Sequence, residues 1–192
     1  MAAPQSSSDA AVSTKDEIPA AIFVEDIESF MKKEGTAEAA LEKLQRLYSA
    51  FKFIEQRLTQ KKMKLKMKLP EIEKTYNSLM QMEAQSKLGE PLTTHYELAQ
   101  SIFAKATINV QENDKVCLWL GANVMLEYPR AEAITLLKQQ FDDAKTALAT
   151  TIDDMGFLRD QITTTEVNMA RVFNWDVKNR RKVKDTEAAE VS

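Results

Sequence analysis

A chain of 192 residues, 44% of them hydrophobic and 29% charged, carries enough apolar material to fold, yet its 4 Gly and 5 Pro make turns scarce and long uninterrupted elements expected. The formal net charge of -3 offers no global basic field for nucleic acid or an anionic membrane surface, and no run of about 18 apolar residues is present to span a bilayer. Cys117 is the single cysteine, which excludes an internal disulfide and a cysteine-based zinc site.

In chain order, residues 1–17 are Ala- and Ser-rich without periodicity and are expected to be a disordered tail. They lack the basic and apolar regions of a signal peptide, so with the lone cysteine a cytoplasmic location is expected. Residues 18–35 form a short amphipathic segment in which Ile27, Phe30 and Met31 have helical spacing, with Glu25 and Asp26 ahead of them. Whether this segment folds back onto the main body is left open by its pattern.

From Leu41, steps of three and four residues visit Leu41, Leu44, Tyr48, Phe51, Leu58, Leu65, Leu69, Ile72, Tyr76 and Leu79, interrupted only by Glu55 and Lys62. This heptad seam predicts a coiled-coil helix over residues 37–87. Within it, KMKLKMKL at 62–69 alternates charged and apolar residues like a strand, but the seam continues on both sides and favours helix. Pro70 is expected to bend that helix rather than end it. A second seam runs from Ile134 through Leu137, Phe141, Leu148, Met155, Leu158, Ile162 and Met169 to Val172, and predicts a partner helix over 130–182, starting after Pro129. Residues 183–192 are expected to be a disordered tail.

Between the helices, Leu88-Gly89-Glu90-Pro91 is a break, and residues 94–128 become rich in β-branched and aromatic side chains. Strands are expected near 94–99, 101–109, 115–120 and 123–128, making two β-hairpins. The fold class is therefore mainly α with a small β insert: a long antiparallel coiled-coil hairpin over 36–182 with two β-hairpins at its bend. So small a sheet cannot bury enough apolar surface alone. Ile102, Ile108, Val116, Leu118, Trp119, Leu120, Val124 and Leu126 are the candidates for an oligomerisation core. At the opposite end, residues near 37–51 should meet residues near 167–181. There Leu47, Phe173 and Trp175 fall off the seam and are the candidates for exposed apolar surface.

Lys178, Arg180, Arg181, Lys182 and Lys184 form a basic cluster near the end of the second helix. It suits acidic ligands, a nuclear import signal, or cations placed at a helix C-terminus. The sequence has no P-loop, Gly-rich dinucleotide turn, HExxH or Ser-centred elbow. His95, the one histidine, falls in the first expected strand. Asp142-Asp143 and Asp153-Asp154 are helix neighbours about 100° apart and do not converge. Neither an enzyme nor a cofactor or metal site is expected, and the seams by themselves fit a coiled-coil tether for a folded partner.

The segments IPAAIFVEDIESFM, KLPEIEKTYNSLMQM and DKVCLWLGANVMLEYP, set in this order of helix, two hairpins and helix, resemble the α-type subunits of prefoldin, a hexameric co-chaperone. The resemblance covers roughly residues 18–180, and LWLGANVMLEY is its most specific part. It implies a hetero-hexamer of two α-type and four β-type subunits joined through their β-hairpins. The implied activity is ATP-independent binding of unfolded actin and tubulin by the coiled-coil tips and transfer to the cytosolic chaperonin. The von Hippel-Lindau tumour suppressor protein is a further candidate partner, and the nucleus a second candidate location.

Overall fold

The computed structural model describes residues 18–190 except 113 and 122. Its elements are α1 (Ile27–Glu34), α2 (Ala37–Leu88), β1 (Leu92–Ala99), β2 (Ile102–Ile108), β3 (Lys115–Gly121), β4 (Val124–Pro129) and α3 (Arg130–Glu190). The expected mainly helical fold with two β-hairpins is the one found. The tail expected over residues 1–17 lies outside the described residues.

Local chemistry sets the boundaries. Asp26 caps α1 by accepting from the Glu28 N–H at 2.9 Å and from the Ser29 hydroxyl. Thr36 opens α2, its hydroxyl accepting from the Ala39 N–H and its carbonyl from the Ala40 N–H. Gly89 closes α2 at φ 75°, a left-handed value that strains a Cβ-bearing residue, and its N–H donates to the Gln85 carbonyl at 3.1 Å. α2 continues through Pro70, and KMKLKMKL is helical throughout. α3 runs eight residues beyond the expected end at 182, so the tail expected from 183 is helical as far as Glu190. Its VKDTEAAE sequence contains neither Gly nor Pro and is rich in good helix formers, so nothing stops the helix. For the same reason the basic cluster does not lie at the end of the helix.

The chain divides into two compact units, residues 18–63 with 149–190, and residues 64–148. In the second, the α2 seam residues Ile72 and Leu79 share a core with Leu118 of β3 and with Ala133, Leu137 and Ala144 of α3. Leu65, Leu69, Tyr76, Ile134 and Phe141 pack against it. The β insert forms two separate two-stranded antiparallel sheets, β1 with β2 and β3 with β4. In the first unit, Phe51 and Leu58 of α2 pack with Leu158 and Ile162 of α3, and Leu44 with Val172. Numbers rise along α2 as they fall along α3, the antiparallel register that the two seams demand. The open question about residues 18–35 is also answered: Ile18 joins the Phe51 core and Met31 of α1 joins the Leu44 core.

Candidate functional sites

Period-two alternation sorts the hairpin residues into two faces. On β3, Val116 and Leu118 turn inward, the latter 8% exposed in the helical core, while Trp119 between the strand and solvent is 60% exposed. Ile102, Leu120, Val124 and Leu126 are also exposed, at 58%, 40%, 44% and 40%. Ile108 and Val116 are half-buried. The expected oligomerisation set is thus mixed. Leu118 is committed to the core of its own unit, because α2 and α3 together present enough apolar surface to cover one face of the β3–β4 hairpin. Cross-strand register supplies residues that the expectation missed: Met125 stands opposite Trp119 and is 57% exposed, and Phe103 opposite Glu97 is 61% exposed. Tyr96 and Leu98 are exposed as well, at 51% and 60%. The signal was present in the alternation, but which parity faces inward is fixed only by the helices.

Each hairpin also leaves unpaired strand edges, since a two-stranded sheet has no interior strand. The β3–β4 turn places Gly121 at φ 89° and Asn123 at φ 61°, residue types that tolerate the left-handed region best.

Arg130, the first residue of α3, anchors the insert and carries no signal in the sequence. Only 5% exposed, it donates to Glu83 Oε2 of α2 at 2.9 Å, the Val110 carbonyl at 3.0 Å and Ser86 Oγ at 3.1 Å. Its guanidinium also lies 3.3 Å from Asp114 Oδ1, and its backbone N–H donates to the Asp114 carbonyl at 2.7 Å. A buried guanidinium is tolerated when its donors are matched in this way, and the planar fork reaches two segments at once. It thereby ties the end of α2 and the β2–β3 loop to the start of α3.

In the unit of residues 18–63 and 149–190, the three residues expected at an exposed apolar surface separate. Phe173 is 57% exposed. Leu47 and Trp175 are not: Leu47 is half-buried against the Ile18 and Ala21 cluster, and Trp175 against the cluster containing Ile27, Phe30 and Met31. Both clusters include residues of the segment 18–35, whose place in them the coiled-coil seam alone had no means of indicating. Phe53, at 63%, is a further exposed aromatic on α2. Arg180 pairs with Asp176 at 2.9 Å and lies 3.8 Å from Glu38, so part of the basic cluster is matched within the chain. Lys52 donates to Glu55 at 2.9 Å, and this bond raises the lysine pKa above its ordinary value.

Among the described residues, no group of three or more His, Cys, Asp or Glu could hold a metal ion, and no helix is long and apolar enough to cross a membrane.

A pair of helices with antiparallel cores, joined through two β-hairpins whose outer surface is apolar and unpaired, defines a class of helical-hairpin assembly subunits. The Prefoldin family, described as prefoldin subunit, matches residues 51–175. Prefoldin subunit 3 of Mus musculus is 49% identical over 172 residues, covering 88% of this chain and 87% of that protein. Prefoldin subunit 3 of Homo sapiens is likewise 49% identical, covering 88% of this chain and 86% of that protein. Prefoldin subunit 3 of Saccharomyces cerevisiae is 37% identical over 88% of this chain and 89% of its own length. Among solved structures, the filamentous PFD from Methanocaldococcus jannaschii is similar with a TM-score of 0.45 at 18% identity, over 64% of this chain and 94% of that one. The chain belongs to the prefoldin subunit family, whose members are components of a chaperone.

Proposed function

We propose that this chain is the α-type subunit of a hetero-hexameric prefoldin of two α-type and four β-type subunits, assembled through its β-hairpins. The observation that carries this reading is the set of apolar side chains that the hairpins leave exposed, with Trp119, Met125, Ile102 and Phe103 each more than half exposed. A lone chain leaves these side chains and its strand edges in water; neighbouring hairpins would cover both.

In this reading the subunit holds non-native chains, actin and tubulin among them, without ATP and delivers them to the cytosolic chaperonin. Phe173 and Phe53 support it as exposed aromatics on the helices, suited to apolar segments that have no fixed shape. The reading assigns no catalysis to the chain. It places the protein in the cytoplasm, with the nucleus as a second location, and includes the von Hippel-Lindau tumour suppressor protein as a partner outside the hexamer.

Native mass spectrometry of the tagged chain purified from cells tests the assembly. The expected result is a hexamer containing five other helical-hairpin subunits. Recovery as a monomer, or bound only to a folded partner, overturns the reading in favour of a coiled-coil tether.

A further inference from the structure

Residues 18–26, ahead of α1, run as an extended strap across α3, and three α3 side chains hold the strap by its main chain. Gln161 Oε1 accepts from the Ala21 N–H at 2.7 Å. One heptad further on, Asn168 Oδ1 accepts from the Val24 N–H at 3.0 Å while Asn168 Nδ2 donates to the Ile22 carbonyl at 2.8 Å. Arg171 then donates to the Glu25 carbonyl at 2.8 Å. The two N–H groups and two carbonyls are all backbone, so the ladder reads an extended chain and not particular side chains.

The strap's own large side chains confirm this division of labour. Ile22 is 83% exposed and points away from the ladder, and Phe23, 47% exposed, contacts it only through the Arg171 guanidinium 5.0 Å above its ring. Apolar anchorage comes from Ile18, 5% exposed, with Ala21 beside it. Asn168, in contrast, is 2% exposed beneath the strap, and both polar atoms of its carboxamide are satisfied by strap main chain. A buried carboxamide with no such partner is costly.

We propose that Gln161, Asn168 and Arg171 form a binding site for extended polypeptide main chain of broadly any sequence, occupied in cis by residues 18–26 and surrendered to a non-native chain. The proposal rests on the chaperone reading above and adds a site and a competitor to it. The exchange conserves hydrogen bonds, because an unfolded chain presents the same alternating donors and acceptors. Tethered in cis, the strap acts at an effective concentration on the order of millimolar, so it excludes weak binders and yields to chains that also make apolar contacts.

The test uses the assembled hexamer with the full chain, and reduced, carboxymethylated lactalbumin as a permanently unfolded probe. Hydrogen exchange at the Ala21 and Val24 amides should accelerate when the probe binds. A chain lacking residues 18–26 should bind the probe several-fold more tightly within the hexamer, and Asn168→Leu in that shortened chain should abolish the gain. Probe binding that leaves both amides as protected as before, or a shortened chain with unchanged affinity, overturns the strap proposal and leaves the chaperone reading intact. A hexamer that does not bind the probe overturns both.

Discussion

Leu118 and Trp119 are neighbours on β3, yet one is 8% and the other 60% exposed, so consecutive residues face the core of the unit and the solvent. Leu118 packs among Ile72, Leu79 and Leu137 of its own unit, whereas Trp119 has only Met125 across the strand pair. Leu118→Ala should therefore lower the stability of the isolated chain by about 2–5 kcal/mol, the range for truncating a buried leucine. Trp119→Lys should leave the melting of the isolated chain nearly unchanged and impair incorporation into the hexamer. Thermal melts followed by circular dichroism, paired with native mass spectrometry, separate the two effects; equal loss of stability in both variants contradicts the two-face reading.

Arg130 should be intolerant of substitution. Arg130→Met keeps much of the side-chain volume but strips partners from Glu83, Ser86 and the Val110 carbonyl. The expected loss is about 2–3 kcal/mol, discounted because Glu83 retains partial solvent access. Arg130→Lys should recover only part of it, since an ammonium lacks the fork that serves both α2 and the β2–β3 loop. Urea denaturation measures both variants, and a Met variant as stable as the parent would remove Arg130 from its anchoring role.

The separation of Leu47, Phe173 and Trp175 splits what the seam groups together. Phe173→Ser should change stability by no more than about 0.5 kcal/mol, as usual for an exposed site, and weaken suppression of actin aggregation by the hexamer. Leu47→Ser and Trp175→Ser should destabilise the chain first, by uncovering the contacts with residues 18–35. Full aggregation suppression by the Phe173 variant in an intact hexamer would exclude that side chain from client contact.

Asp26 should remain ionised in mild acid. The Ser29 hydroxyl, then the Ser29 and Glu28 N–H groups, donate to its carboxylate and hold its pKa below the ordinary aspartate value. A carboxyl depressed in the folded state contributes stability above its unfolded pKa and loses it as the pH falls through the folded one. The α1 cap should therefore be lost at a lower pH than that at which ordinary aspartates protonate. Carboxyl-carbon NMR titration reads this directly, and Ser29→Ala should move the Asp26 midpoint upward. Titration of Asp26 together with unperturbed aspartates in the parent protein would contradict it.

Periodic features were legible because they are local. The seams from Leu41 to Leu79 and from Ile134 to Val172 place α2 and α3, and Gly89 with the β-branched runs places the hairpins, each from a few consecutive residues. α3 passes the expected end at 182, because a polar segment free of Gly and Pro has no reason to leave a helix already formed. Arg130, Gln161 and Asn168 gave no warning, because their partners lie between 16 and 146 residues away or are bare backbone atoms without side-chain identity.

By itself, then, the sequence determines the two helices, the two hairpins and membership of the prefoldin subunit family, since heptads, strand alternation and turn residues act over short range. Tertiary structure alone decides that Leu118 turns inward and Trp119 outward, and that Leu47 and Trp175 join clusters shared with residues 18–35 while Phe173 stays exposed. The same apolar side chain is core or surface according to what a distant segment lays over it. That choice depends on packing between residues more than a hundred positions apart, as between Ile18 and Leu158 or Met31 and Val172, which no local period encodes.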